Sequence, residues 1–116
     1  NNMASVLTAQ GRYDLAMELC EKGLAIQLDT LGPGHRDVAS TYINMATVLQ
    51  AQDQYDRAME LYEKGLALLL DALGPGHPDV AGTYHSMASV RRALGQDDRA
   101  LELYEKCLAI LLDTLG

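Results

Sequence analysis

His35 and His77 each stand two residues before an aspartate, Asp37 and Asp79, and these H-x-D pairs are the first places to look for chemistry. Imidazole and carboxylate both ligate zinc, but a zinc site needs three or four ligands within about 2.0–2.3 Å. Equivalent residues of adjacent helical modules stand roughly 10 Å apart, one helix-packing distance. The pairs are therefore read as helix-start residues in a linker, and no metal is expected. No serine, threonine or cysteine has a convincing base partner, so the pattern assigns no catalytic residue and no cofactor, and the chain is expected not to be an enzyme. The recurring acidic and basic positions Glu18/Glu60/Glu102 and Glu21-Lys22/Glu63-Lys64/Glu105-Lys106 read as a solvated helix face.

What positions all these residues is an internal repeat. Sliding the chain by 42 residues brings it into register without a gap: residues 1–32 match 43–74 at 22 of 32 positions, and 33–74 match 75–116 at 28 of 42. The chain is thus one repeat array, 1–116. Repeat 1 (1–32) has a truncated first helix and a complete second one, and repeats 2 (33–74) and 3 (75–116) are full units. Within a unit, Val38, Ala39, Tyr42, Met45, Ala46, Val48 and Leu49 fall at three- and four-residue spacings, predicting a helix A from about Arg36 to Ala51. The pattern breaks at Gln52–Gln54, where the first copy holds Gly11. Helix B is predicted from about Tyr55 to Ala72, apolar over a wider arc, as a helix packed on two sides requires. Gly74 suits a helix-ending position and Pro75 cannot continue a helix. Pro78 and Asp79 then suit the first turn of the next one, where the proline's missing N–H costs nothing and the carboxylate meets the positive end of the dipole.

These residues resemble the tetratricopeptide repeat, in the 42-residue form of kinesin light chains, over the whole chain. The family's pattern of large and small positions is met by Tyr42, Met45-Ala46 and Leu49 in helix A and by Ala58, Tyr62 and Gly65 in helix B. Repeat 3 carries Tyr84, Met87-Ala88, Arg91, Ala100, Tyr104 and Cys107 there, departing at Arg91 and Cys107. The resemblance implies an all-α fold, tandem helix-turn-helix repeats stacked as a right-handed superhelical solenoid. Small residues such as Ala46, Ala58 and Gly65 should let helices approach closely, and tyrosines should fill the space between modules. Cys20 takes the slot of Tyr62 and Cys107 that of Gly65, so both read as buried small hydrophobes.

The resemblance also implies where a ligand would lie, on the concave face lined by helix A. The matching positions are Asn2, Asn44 and Ser86, where an asparagine often holds a ligand backbone, and their neighbours Asn1, Ile43 and His85. One turn on come Ser5, Thr47 and Ser89, and then Thr8, Gln50 and Arg92. Few of these are basic, so an acidic chain terminus is not the favoured ligand. A protein or peptide segment read through backbone hydrogen bonds and apolar pockets fits better, and basic residues on it would suit a net charge of −7.

The same negative charge disfavours nucleic acid, whose binding rests on Lys and Arg neutralising phosphates. The longest apolar run, Leu66 to Leu70, is far short of the roughly 20 residues of a membrane span, so no membrane association is expected. The two cysteines lie about two modules apart, beyond the roughly 7 Å Cα limit for a disulfide, which with the lack of a signal pattern points to an intracellular, cytoplasmic setting. Asn1 aligns with Ile43, in the middle of helix A, so the chain is expected to be part of a longer array. Both ends should then expose apolar surface and favour self-association, the basis of an alternative reading as a structural module with repeat-to-repeat contacts between chains.

Overall fold

The computed structural model describes the backbone of residues 2–115 and the side chains of residues 6–114. Six helices follow one another: α1 Asn2–Ala9, α2 Tyr13–Thr30, α3 Arg36–Ala51, α4 Tyr55–Leu73, α5 Pro78–Ala93 and α6 Asp97–Leu115. The odd-numbered helices are the A helices of repeats 1 to 3 and the even-numbered ones the B helices. Helix A of repeats 2 and 3 begins one residue beyond a histidine that serves as N-cap. Nδ1 of His35 accepts the backbone N–H of Asp37 at 3.0 Å, and Nδ1 of His77 that of Asp79 at 3.1 Å. The H-x-D pairs are therefore capping devices that satisfy a donor the first helical turn leaves open, with the aspartates in the first turn of the positive dipole end.

The helices end where the chain can turn left-handed. Gly32 and Gly74 close α2 and α4 at φ +85° and +87°, and Gly11 and Gly95 lie in the A-to-B turns at +76° and +77°. Repeat 2 has Asp53 at that turn position, with φ 62°. Its carboxylate accepts a hydrogen bond from the Tyr55 hydroxyl at 2.8 Å, which raises the phenol's pKa.

Most packing is between helices adjacent in the chain. In one core cluster Ala16 and Cys20 of α2 meet Met45 and Val48 of α3, so a B helix is covered by the following A helix. The same seam recurs one repeat later, where Ala58, Met59 and Tyr62 of α4 meet Met87 and Val90 of α5, with Ala46 and Leu49 of α3 closing it. A third cluster joins Ala39 of α3, Leu69 of α4 and Val80 of α5. Each seam sets alanine against larger side chains, which brings the helix axes close. Gly65 shows how close: a Cβ there would lie 2.7 Å from Cγ1 of Ile43 and 3.1 Å from the Ala39 carbonyl oxygen. Both cysteines are buried and free, as their slots suggest, and burial pushes the Cys20 thiol above its ordinary pKa.

Candidate protein-interaction site

Helix A of repeats 2 and 3 carries a polar row beside its apolar stripe, and the structure gathers that row around one hydroxyl. Tyr62 projects from α4, its ring buried in the repeat 2 core and 1% exposed. Its hydroxyl donates to Oε1 of Gln50 at 2.8 Å and lies 3.2 Å from Oγ1 of Thr47. Nε2 of Gln50 on α3 donates to Oγ of Ser89 on α5 at 3.3 Å, and Ser86 of α5 stands within hydrogen-bond reach of the Tyr62 hydroxyl. Burial pushes the Tyr62 phenol above its ordinary pKa, against the opposing effect of the Thr47 and Ser86 hydrogen bonds. Three helices are tied here by part-buried polar contacts, and a network of this kind favours one arrangement because its members satisfy one another.

Four of the twelve residues expected to line the face, Thr47, Gln50, Ser86 and Ser89, belong to this network. Asn44 lies half-buried one turn before it and has no hydrogen-bond partner among the described residues. Arg92 is exposed one turn beyond Ser89 and forms no ion pair among the described residues. It borders a recess of about 270 Å³ with Ser89 and Ala93, and another of about 340 Å³ with Asp97, Ala100, Leu101 and Tyr104. His85 is exposed and sets its ring edge-on to Tyr104, with centroids 5.5 Å apart. Thr8 is half-buried at the end of α1. Ile43 is engaged inside the repeat: it lies over Gly65 and packs against two of the core clusters. Asn1 and the side chains of Asn2 and Ser5 lie outside the described residues.

Sequence reasoning placed the tyrosine at position 62 only as a space filler between modules. Its hydroxyl is nonetheless the hub of the polar row, and the available signal was that the position holds Tyr, never Phe, in both full repeats. Three further contacts had no sequence signature. Arg91, at the slot of buried Leu49, keeps its guanidinium in place by donating to Oε1 of Gln96 at 2.7 Å. The recurring lysines of helix B lie over helix A tyrosines, Lys64 6.0 Å from the Tyr42 centroid and Lys106 5.6 Å from that of Tyr84.

The paired helices, the small-residue seams and the 42-residue register have known counterparts. The tetratricopeptide repeat family model matches residues 1–71 and 66–113. The chain belongs to the tetratricopeptide repeat family. A crystal structure of a Podosopora anserina kinesin light chain with nearly identical TPR-like repeats matches with a TM-score of 0.86 and 32% identity, over 99% of this chain and 55% of that one. BtubC (BKLC) from P. vanneervenii matches with a TM-score of 0.87 and 25% identity, over 96% of this chain and 44% of that one. The present chain thus spans about half the length of the solved tetratricopeptide arrays it resembles, and no curated protein matches it. Its repeats are of the kinesin-light-chain-like type, stacked as a tetratricopeptide solenoid. Folds of this kind are typically non-enzymatic scaffolds for protein interactions. No helix among the described residues is long and apolar enough to cross a membrane.

Proposed function

We propose that the chain binds an extended peptide or protein segment along the concave, helix A face, with Asn44, Gln50 and Arg92 as its principal contacts. The observation that carries this reading is the polar row itself. Tyr62, Thr47, Gln50 and Ser89 hold one another in place across three helices, so the surface they form is rigid before any ligand arrives. A preformed surface loses little freedom on binding. The groups left over at its two ends are ones a ligand can use: the amide of Asn44 offers both a donor and an acceptor to a peptide backbone, and Arg92 offers an unpaired cation. Exposed Thr47 supplies a further hydroxyl between them.

Selection from a displayed peptide library against the 116-residue chain, followed by titration of the selected peptide, tests the reading. Replacing Asn44, Gln50 and Arg92 together by alanine should weaken binding by about tenfold or more, each lost hydrogen bond being worth about 0.5–1.5 kcal/mol. Helicity should persist, since Asn44 and Arg92 make no hydrogen bond or ion pair among the described residues and Gln50 gives up only its part-buried bonds to Tyr62 and Ser89. Equal affinity of the triple variant would remove the helix A face from consideration.

A further inference from the structure

The hydrogen bonds around Tyr62 have a direction. Tyr62 carries one hydroxyl proton, and it goes to Oε1 of Gln50 at 2.8 Å, an atom that can only accept. The phenol oxygen is left to accept from its other neighbours, Thr47 at 3.2 Å and Ser86. With its oxygen turned to Tyr62, the Gln50 amide presents its nitrogen on the other side, where Nε2 donates to Oγ of Ser89 at 3.3 Å. That length exceeds the range of an O–H···O bond and lies closest to that of an N–H···O bond, in agreement with this orientation. Two donors are then left over, because the second N–H of Gln50 and the O–H of Ser89 have no acceptor among the described residues. Both residues are half-buried, so part of each meets solvent. The tyrosine is what sets this direction. One seam earlier its slot holds Cys20, and there Asn44, which aligns with Ser86, has no hydrogen-bond partner among the described residues.

We infer that Tyr62 is a positioning residue that fixes the polarity of the helix A face: it turns Gln50 so that only donors meet the ligand there, and the bound segment places a backbone carbonyl against Gln50 and Ser89. This rests on the reading of that face as the binding surface. Nε2 of Gln50 and Oγ of Ser89, 3.3 Å apart on neighbouring helices, can both donate to one carbonyl oxygen, which has two lone pairs. Asn44, with no tyrosine to orient it, can turn either its oxygen or its nitrogen to the ligand. The face therefore selects the hydrogen-bonding sense of the segment at the Gln50 end and tolerates either sense at the Asn44 end.

Calorimetric titration of a peptide selected from a displayed library against the unmodified chain tests the assignment, with Gln50→Glu, Gln50→Ala, Tyr62→Phe and the Gln50→Ala/Tyr62→Phe pair as variants. Circular dichroism checks that each keeps its helical content. The Gln50→Glu side chain still accepts the Tyr62 proton but offers the ligand only acceptors, so affinity should fall by about tenfold or more. Tyr62→Phe keeps the ring and frees the amide to rotate, and affinity should fall by about three- to fivefold. With Gln50→Ala already present, the same change should alter affinity by less than about twofold. A merely structural tyrosine would lower affinity equally in both backgrounds, and that result would overturn the positioning role. Affinity kept or raised by Gln50→Glu would overturn the polarity. The Gln50→Glu loss should persist when each Asp and Glu of the peptide is replaced by alanine; a loss that vanishes with one carboxylate would overturn the backbone assignment. Failure of the underlying reading looks different: the Asn44, Gln50 and Arg92 triple variant would bind as the unmodified chain does, or no peptide would be selected, and the inference would fall with it.

Discussion

Tyr62 and Tyr104 occupy the same position in consecutive repeats, on helices of the same length, and are preceded by the same Ala-x-Glu-Leu sequence. Tyr62 is buried, with its hydroxyl shared among three helices; Tyr104 is half-exposed and pairs its ring with that of His85. Leu69 and Leu111 repeat the contrast, 2% against 41% exposed. Identical residues thus differ in environment because α4 has a following A helix over it, whereas among the described residues no helix lies over α6 in the same way. Burial in this molecule belongs to the seam between repeats as much as to the residue, which is how a stacked array gains stability from nearest neighbours.

The sharpest way to probe this contrast is to delete the same side chain on both sides of it. Tyr62→Ala should cost about 3–5 kcal/mol, as for large aromatic deletions in a core, and Tyr104→Ala about 1–2 kcal/mol for a half-buried ring. Urea titrations of the two variants measure the difference, and equal losses would contradict the seam-based account. Next in size is the close approach at Gly65. Gly65→Cys, which places the repeat 3 residue in repeat 2, should destabilise by about 1–3 kcal/mol because its Cβ would collide with Ile43. Ile43→His, the accompanying residue of repeat 3, should recover part of that loss in a double-mutant cycle; additive losses would deny the coupling.

Smaller effects should mark the connections. His35→Ala and His77→Ala each remove an N-cap acceptor and should cost about 1 kcal/mol, measurable as a lowered denaturation midpoint. Asp53→Gly should stabilise by about 0.5–1 kcal/mol, by relieving the left-handed backbone that glycine occupies in repeats 1 and 3. Loss of the Tyr55 hydrogen bond offsets part of that gain. The smallest expected effect is on pH dependence. Because the Tyr62 pKa is raised in the folded state, the unfolded chain releases that proton first as pH climbs past about 10, the ordinary tyrosine value. The folded state then holds more protons, so the contribution is complete below that pH and declines as pH rises toward the folded pKa. Tyr62→Phe should flatten this part of an alkaline stability profile.

The repeat made much of the fold legible. Helix A was placed at Arg36–Ala51 from spacing alone, and helix B within a residue of its end, because amphipathic periodicity and Gly-Pro punctuation act locally. The recurring H-x-D pairs resolved into caps for the same reason. What a single sequence does not display is the rotation of each helix about its axis. Ile43 and Asn44 are adjacent and both were assigned to the binding face, yet a step of one residue turns a side chain by about 100°. Ile43 consequently lies against Gly65, while the Asn44 amide has no hydrogen-bond partner among the described residues. The role of the Tyr62 hydroxyl is not legible in the sequence because its partners come from two other helices, 12 and 15 residues back in the chain for Gln50 and Thr47, and Ser86 from the next repeat. Gln27 is similar: it stands where repeats 2 and 3 hold Leu69 and Leu111, and its Oε1 accepts a hydrogen bond from the Thr41 hydroxyl of the next helix at 2.6 Å.

Backbone and side-chain amide NMR shifts, followed while a library-selected peptide is titrated into the 116-residue chain, test the central claim most directly. Binding along helix A predicts changes concentrated at Asn44, Thr47, Gln50, Ser86, Ser89 and Arg92, with the exposed Glu60, Glu63, Glu102 and Glu105 of the B helices unmoved. Shifts confined to those glutamates, with the polar row around Tyr62 undisturbed, would contradict it.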